Sequence, residues 1–272
     1  MPEGPEIKRA ADQIAEVLTR RTAVQVEFGL PKLKKLGAAL SGRQIDAVEA
    51  RGKALLIHFE GNDSLYTHNQ LYGRWVIAKA SERPHSSRSL RLAIDTRSAS
   101  ALLYSASDIA LWKRADLTRH PYIARLGVEL LGGDTDLGMI HRQLEATRFQ
   151  NRTLAALLLD QGFLAGVGNY LRSEILFVAG VLPNWRPRDL NEKIRMKVAS
   201  AAWELTRQSY RTGGITNDLT RAARLKKRGL SFGRYRHHVF DREDEPCWAC
   251  ETPVRRVTAA GRNVFVCETC QR

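Results

Sequence analysis

Apolar residues near the start of the chain recur at helical spacing. Between residues 5 and 20 they stand three or four positions apart, and Pro5 suits the first turn of a helix. The pattern then changes to short β-rich runs punctuated by Gly, Asn, Asp and Ser. Such runs are typical of an antiparallel sandwich or barrel. The chain is therefore predicted to open on an amphipathic helix, followed by strands at residues 24–28, 54–59, 75–77, 90–94 and 101–104.

Helical periodicity returns in the second half of the chain. Leu137, Ile140 and Leu144 form one apolar stripe, and residues 154–159 begin another. Glu192 follows three residues after Asp189, an arrangement that predicts a capping box at the start of a long helix. A β-rich domain followed by a helical one indicates a two-domain α+β protein.

Four cysteines close the sequence in two pairs. Cys247 and Cys250 are followed, after 16 intervening residues, by Cys267 and Cys270. Two such pairs can deliver four thiolates to a tetrahedral Zn²⁺, and four protein ligands leave no open position, so we predict one structural zinc ion. Disulfides or a redox pair are the alternatives. Residues 258–265, between the pairs, are predicted to form a β-hairpin with Arg262 at its tip.

Charge narrows the choice of partner. Lys and Arg number 43 against 29 Asp and Glu, a formal net charge of +14, which favours a polyanion such as nucleic acid over a merely solubilising surface. Residues 219–240 carry seven Lys or Arg and no acidic residue. No apolar run approaches the ~18 residues of a membrane span, and an early acidic stretch argues against a secretory signal. A cytoplasmic, nucleoid-associated location is predicted.

Three motifs together resemble one known family. The opening Met1-Pro2-Glu3-Gly4-Pro5-Glu6, the stretch Gly-Val-Gly-Asn-Tyr-Leu-Arg-Ser-Glu at residues 166–174 and the terminal cysteine ribbon occur in the order found in formamidopyrimidine-DNA glycosylases and endonuclease VIII. The resemblance spans the whole chain. It implies a β-sandwich catalytic domain (residues 1–127), a helix-two-turn-helix domain (128–238) and a zinc ribbon (239–272). It also implies a monomeric DNA repair enzyme that acts on double-stranded DNA containing oxidised bases or abasic sites.

The N-terminal motif carries the chemistry that the family resemblance implies. Removal of Met1 would expose Pro2 as a secondary amine, and α-amines have a reference pKa of ~7.7 to 8.0, so a nucleophilic fraction exists near neutral pH. Attack on C1′ of the sugar would expel the base, and the resulting Schiff base would permit β,δ-elimination of the strand. Glu3 is predicted to be the proton donor, with interaction at the N-terminus of the helix that follows it as its alternative role. Glu6 is assigned a supporting structural role.

Three further residues match phosphate-binding positions of the family. Lys53 matches a lysine on a strand of the first domain, and it is predicted to contact a phosphate or to donate a proton during β-elimination; an exposed strand lysine is the alternative. Asn169 sits in a glycine-flanked turn whose backbone amides and side chain could bind a phosphate, or it caps a helix junction. Arg262 is predicted to contact a phosphate or to donate a proton during δ-elimination.

The segment Gln70-Leu71-Tyr72 decides the branch of the family. An amide, an apolar wedge and an aromatic ring could fill the gap left by an extruded base, as in the endonuclease VIII branch. Oxidised pyrimidines such as thymine glycol and dihydrouracil are therefore the predicted substrates, unless Leu71 and Tyr72 are ordinary strand-core residues. Residues 213–233 do not align with that branch, so an oxidised-purine glycosylase stays as an alternative.

Two other classes of protein share some of these features. A non-catalytic zinc-ribbon DNA-binding protein would explain the charge and the cysteines, but it has no need of the N-terminal Pro-Glu pair. A zinc-ribbon ribosomal or transcription component would not explain the β-rich first domain joined to the turn motif.

Overall fold

The computed structural model describes residues 2–272, so the predicted removal of Met1 lies outside the described residues. The chain divides into two compact units. The first contains Pro2 and Glu6–Arg125, and the second contains Glu3–Pro5 and Leu126–Arg272. The three-part division at residues 127 and 238 stays a prediction.

The first unit is built from two antiparallel four-stranded sheets. Their strand orders are β1-β6-β7-β5 and β2-β3-β4-β8. The helices are α1 (Gly4–Leu18) and α2 (Lys34–Leu40), and the strands are β1 (Gln25–Phe28), β2 (Ile45–Arg51), β3 (Ala54–Phe59), β4 (Asp63–His68), β5 (Arg74–Lys79), β6 (Leu90–Asp95), β7 (Ala99–Tyr104) and β8 (Asp108–Lys113).

One apolar core joins both sheets to α1. The buried face of α1 carries Ile7, Ala11, Ile14 and Leu18 at the predicted helical spacing, each 1% exposed or less. These side chains cluster with apolar residues of both sheets. The predicted helix, the five predicted strands and the β-sandwich are therefore confirmed.

Sequence periodicity did not identify β2, β4, β8 or α2. Strands β2 and β8 lie at the two edges of their sheet and carry charged residues on exposed positions. Strand β4 lies inside the sheet but buries Ser64 and Thr67. Polar residues on edge strands and inside a central strand remove the alternation that periodicity detects.

The second unit is helical apart from short strands and the terminal hairpin. Its elements are β9 (Val128–Glu129), α3 (Leu137–Glu145), α4 (Leu154–Leu157), β10 (Leu164–Ala165), α5 (Asn169–Ala179), α6 (Glu192–Thr212), α7 (Leu219–Lys227), α8 (Phe232–Tyr235), β11 (Arg255–Ala259) and β12 (Arg262–Val266). Within the described residues, no helix combines the length and apolarity that crossing a membrane requires.

Helix α5 lies at the centre of this unit. Eight of its 11 residues are buried, and it ends at Gly180, whose φ of 73° provides the left-handed cap that glycine adopts without strain. Residues of α3, α5, α6 and β12 share one hydrophobic core. The apolar stripe predicted for α3 is confirmed.

The predicted start of α6 is wrong by two residues. Asn191 is the N-cap, and its side chain accepts a hydrogen bond from Ile194 N at 3.0 Å. Asp189 lies instead in a short 3₁₀ turn, where its carboxylate accepts from Arg186 N at 3.1 Å. Asp and Asn are both good capping residues. Asp189 caps the 3₁₀ turn that begins at Pro187, and Asn191 caps α6.

Candidate active site and DNA interface

The carboxylate of Glu3 occupies the N-terminus of α5. It accepts hydrogen bonds from Gly168 N at 2.7 Å, Tyr170 N at 2.8 Å and Leu171 N at 3.3 Å. Glu3 is only 3% exposed, so these bonds form in a site largely removed from water. Unpaired amides at a helix N-terminus bind anions, and here a side chain from the other end of the sequence supplies the anion. Glu3 thus binds a helix N-terminus, but that of α5 and not that of the following helix α1, which was its predicted alternative role.

Glycines make this approach possible. A Cβ atom on Gly168 would lie 2.4 Å from Cδ of Glu3, which no real contact allows. Gly4 N donates to Gly166 O at 2.8 Å, and a Cβ on Gly4 would lie 2.9 Å from Cα of Gly166. The glycines of the Gly-Val-Gly motif therefore admit the N-terminal segment against the start of α5.

Two of the turn amides that the sequence suggested for a phosphate are already bonded to a side chain. The amides of Gly168 and Tyr170 are bonded to Glu3. Asn169 is the first residue of the helix, its Nδ2 donates to Asn263 O at 2.9 Å, and its Oδ1 accepts from Arg172. Its phosphate contact stays a prediction, and the second N–H of Nδ2 is the donor that could make it, because the first donates to Asn263 O.

Arg172, which sequence reasoning did not single out, links Asn169 to the terminal hairpin. Its guanidinium donates to Asn169 Oδ1 at 2.8 Å, to Asn263 O at 2.9 Å and to Ala259 O at 3.0 Å. The side chain is fully buried, and burial, followed by the nearby charge of Arg262, lowers the pKa of Arg172 to about 10. The guanidinium stays charged at neutral pH. Only its position inside the motif at residues 166–174 could have drawn attention to it.

The hairpin presents Arg262 to solvent. Strands β11 and β12 pair from Arg255 with Val266 to Ala259 with Arg262, so the predicted hairpin is confirmed. Arg262 is the first residue of β12, directly after a turn that contains Gly261 with a φ of 72°. Its side chain is exposed, and its carbonyl accepts from Arg172 at 3.3 Å. In the second unit, the side chains of Glu3 and Asn169 and the backbone of Arg262 are therefore all held by hydrogen bonds at or near the start of α5.

In the first unit, Lys53 is neither on a strand nor exposed. It lies in the two-residue turn between β2 and β3 and is 8% exposed, and its backbone N donates to the hydroxyl of Tyr122 at 2.8 Å. Burial is the main cause that lowers the pKa of His68, and the charge of Lys53 lowers it further. The alternative of an exposed strand lysine is wrong, because the reversal at Gly52 turns Lys53 inwards.

The predicted wedge is an exposed loop at the same end of the sheet. Ala54, the first residue of β3, pairs with His68, the last residue of β4. Lys53, just before β3, and residues 69–73, just after β4, therefore lie at the same end of the sheet. Leu71 is 51% exposed and Tyr72 is 66% exposed, which excludes the alternative that they are core residues. The loop closes through Gly73 N to Asn69 O at 2.7 Å, and a Cβ on Gly73 would lie 2.4 Å from that oxygen.

Gln70 has a defined conformation inside this loop. Its φ is 52°, its backbone N donates to His68 Nδ1 at 2.9 Å, and its side-chain oxygen accepts from Ser107 at 2.8 Å. The loop thus presents two large exposed apolar side chains from an anchored backbone. Exposed apolar residues on a fixed loop indicate a contact surface.

The four cysteines gather at the end of the chain as unbridged thiols. The sulfurs of Cys247 and Cys270 are 3.9 Å apart, those of Cys250 and Cys267 are 3.4 Å apart, and all four lie within 4.8 Å of one another. Four sulfurs ~2.3 Å from a tetrahedral Zn²⁺ would lie ~3.8 Å apart, so the arrangement fits a metal ion. No pair is at the ~2.05 Å of a disulfide, which disfavours that alternative.

A second buried carboxylate holds the segment before the cysteines. Glu174 is fully buried and accepts from the backbone N of His238, Val239 and Phe240 at 2.7 to 2.9 Å and from the Thr216 hydroxyl at 2.7 Å. Burial alone would raise the pKa of Glu174, but the neighbouring histidines and these hydrogen bonds reverse the direction and lower it. Burial lowers the pKa of His237 to about 4, so His237 is neutral at pH 7.

Comparison with known proteins identifies the family. Residues 1–106 match the formamidopyrimidine-DNA glycosylase N-terminal domain, and residues 126–220 match the formamidopyrimidine-DNA glycosylase H2TH domain. The chain is 40% identical over 271 residues to Endonuclease 8 of Shigella sonnei (strain Ss046) and 41% identical to that of Escherichia coli O9:H4 (strain HS), with each pair covered over 100% of both chains. The chain belongs to the formamidopyrimidine-DNA glycosylase family.

Solved structures of the family share the fold. A complex of wild-type Lactococcus lactis Fpg (MutM) with DNA containing N7-benzyl-Fapy-dG aligns with a TM-score of 0.82 at 19% identity over 100% of both chains. A complex of Lactococcus lactis Fpg with DNA containing an abasic site aligns with a TM-score of 0.82 at 18% identity over 99% of both chains. The predicted combination of β-sandwich, helix-two-turn-helix domain and cysteine ribbon is confirmed.

The family fixes the class of enzyme. Its members, including Endonuclease 8, are DNA glycosylases with AP lyase activity, and the chain is an enzyme of this class. The interpretations as a non-catalytic DNA-binding protein or as a ribosomal or transcription component are therefore set aside.

Proposed function

We propose that the chain excises oxidised pyrimidines from double-stranded DNA and cleaves the strand through a Schiff base on Pro2. The observation that carries the proposal is the fixed carboxylate of Glu3, which directly follows Pro2 in the chain and is held by three backbone amides. A carboxylate placed beside an amine can exchange protons with it and with a bound sugar.

The proposed reaction begins with the neutral amine of Pro2. Its lone pair forms a bond to C1′ of the sugar as the glycosidic C–N bond breaks, and the base leaves with the bonding pair and takes up a proton. The Pro2 nitrogen, now an ammonium, loses its proton to Glu3, which donates it to the ring oxygen as the nitrogen lone pair opens the sugar and an iminium forms. Loss of a C2′ proton then expels the 3′ phosphate, and a second elimination expels the 5′ phosphate.

The remaining candidate residues would bind and shape the DNA. Lys53, Asn169 and Arg262 are proposed to contact phosphates of the lesion strand, with Lys53 and Arg262 alternatively donating protons during β- and δ-elimination. Gln70, Leu71 and Tyr72 are proposed to fill the space left by the extruded nucleotide. The exposure of Leu71 and Tyr72 on an anchored loop supports this role.

The four cysteines are proposed to hold one Zn²⁺. The ion would supply structure only, because four thiolates complete its coordination. Cys267 follows β12 directly and Cys270 comes three residues later, so the metal would fix the hairpin that carries Arg262. Metal analysis should give one zinc per chain, and its absence from protein that is folded and active would refute this assignment.

The substrate class is tested by comparing excision rates. Single-turnover excision from a thymine-glycol duplex should exceed that from a duplex with an oxidised guanine of the same sequence. The reverse ranking would assign the chain to the oxidised-purine branch. Monomeric state and cytoplasmic location stay predictions.

A further inference from the structure

The basic stretch in residues 219–240 has no role in the reaction proposed above. Four cations, Arg224, Lys226, Lys227 and Arg228, fall within five residues at the end of α7, and all four are exposed. We call these four residues the α7 patch. Acidic residues are absent from positions 219–240, so the patch has no neighbouring charge of opposite sign in its own segment.

The segment that carries the patch is anchored at both sides. Before α7, the amides of Thr216 and Asn217 both donate to Arg236 O, at 2.8 and 3.0 Å, and Asp218 caps the helix by accepting from Arg221 N at 2.7 Å. After it, Glu174 accepts from three consecutive backbone amides at residues 238–240. The patch is thus presented by a preformed element.

The apolar face of α7 fixes which side the patch faces. Ala222 and Leu225 are 3% and 4% exposed and pack with Tyr235, and Trp248, between two of the cysteines, packs against the same cluster. Leu225 is buried, whereas Arg224 and residues 226–228 are all exposed, so the patch faces solvent.

Interaction with the helix dipole explains only in part why four cations lie at the end of α7. Cations near a helix C-terminus gain from the helix dipole by ~0.3 to 1 kcal/mol each. Arg224 and Arg228, however, are four residues apart on the helix surface, and like charges at that spacing oppose each other by ~0.2 to 0.5 kcal/mol. Arg234 of the same segment pairs with Glu245, whereas no ion pair is observed for the four patch residues within the described part of the chain. A dense cluster of exposed cations on an anchored segment suits a polyanion.

We propose that the α7 patch binds the phosphate backbone of duplex DNA, in addition to the contacts assigned to Lys53, Asn169 and Arg262. The proposal rests on the proposed function, because it concerns the same DNA. Phosphate contacts carry no information about the base, so the patch should strengthen binding to damaged and undamaged duplexes alike.

The test measures how the dissociation constant of the full chain depends on salt. The patch variant carries Arg224→Gln, Lys226→Gln, Lys227→Gln and Arg228→Gln. The control variant removes the same charge from exposed cations of α3 and α6 through Arg142→Gln, Lys193→Gln, Lys197→Gln and Arg211→Gln. Binding is followed by fluorescence anisotropy on a 25-bp duplex, undamaged or with a central tetrahydrofuran abasic analogue, and on the single strand.

Each lost phosphate contact lowers the slope of log K against log salt by ~0.9, so two or more contacts should lower it by ~2 or more. We expect this loss for the patch variant on both duplexes and a smaller change for the control. An unchanged slope, an equal loss in the control, a loss confined to damaged DNA or a larger loss on the single strand would each overturn the proposal. Borohydride trapping of the parent protein tests the proposed function separately. If the parent binds DNA with the expected salt dependence but forms no trapped adduct, only the proposed function is contradicted.

Discussion

Replacing Gly168 by alanine should displace the carboxylate of Glu3. The new Cβ would lie 2.4 Å from both Cδ and Oε1 of Glu3, and 2.7 Å from Cγ. The φ and ψ of Gly168 are −133° and −150°, an extended conformation that alanine also adopts, so the backbone itself is not strained. The substitution therefore tests the contact alone.

The size of the effect follows from the bonds at stake. Moving the carboxylate breaks hydrogen bonds from three backbone amides, and bonds to a charged group contribute ~1.5 to 3 kcal/mol each. Because Glu3 can recover part of this in a shifted position or in water, we expect ~3 kcal/mol of destabilisation. That corresponds to ~6 to 12 °C in the unfolding temperature. A displacement of ~1 Å at the catalytic group should also slow borohydride trapping on abasic DNA by ~100-fold.

A double-mutant cycle separates the contact from other effects. In a Glu3→Ala background the clash is gone, so adding Gly168→Ala should lower the free energy of unfolding by less than ~0.5 kcal/mol. Gly133→Ala is the matched control, because no atom lies within 4 Å of a Cβ built there and Gly133 is exposed. Equal destabilisation by Gly168→Ala in both backgrounds would refute the assignment of Glu3 to the α5 N-terminus.

Three other predictions concern different parts of the chain. Leu71→Ala should leave the unfolding temperature unchanged, because Leu71 is exposed, yet slow excision from a thymine-glycol duplex by tenfold or more; unchanged excision would contradict the wedge. Arg172→Lys should destabilise the chain by ~3 kcal/mol in thermal unfolding, because an ammonium cannot reach the carbonyls of β11 and β12 together, and full stability would show that the network is dispensable. Lowering the pH from 7 to 5 should cost ~2 kcal/mol through His237: its folded pKa of about 4 lies below its unfolded value of ~6.5, so the unfolded chain binds the extra proton in this range. In denaturant titrations His237→Asn should remove this ~2 kcal/mol and leave the contributions of His68, His120 and His238, whose pKa values burial also lowers; an unchanged pH dependence would contradict the assignment to His237.

The sequence was most informative where a pattern is local. The spacing of Ile7, Ala11, Ile14 and Leu18 predicts α1, and the two cysteine pairs predict the ribbon, because both depend on residues close in the chain. Edge strands such as β2 were missed because their exposed charges hide the alternation. Asp189 and Asn191 are both suitable N-caps and lie two positions apart, so the sequence alone does not show which of them begins α6.

The candidate site depends on contacts that sequence spacing cannot show. Glu3 and Gly168 are 165 positions apart, and the need for glycine appears only when the carboxylate is in place. Arg172 would ordinarily be expected on the surface, since arginine is almost never fully buried without partners. Its partners here are carbonyls of a hairpin about 90 residues away. The strand position expected for Lys53 came from the family resemblance, whereas the turn at Gly52, with a φ of 58°, ends just before the strand predicted at residues 54–59.

The central claim is that Pro2 is the nucleophile, and it is tested most directly by borohydride trapping. The methionine-processed chain would be incubated with a duplex containing one thymine glycol, reduced, digested and mapped by mass spectrometry, with Pro2→Gly and Glu3→Gln alongside. The account predicts a DNA adduct on the N-terminal peptide at Pro2, and slower trapping by Glu3→Gln, whose DNA binding should persist. An adduct on a lysine, or DNA binding without any adduct, would contradict the claim.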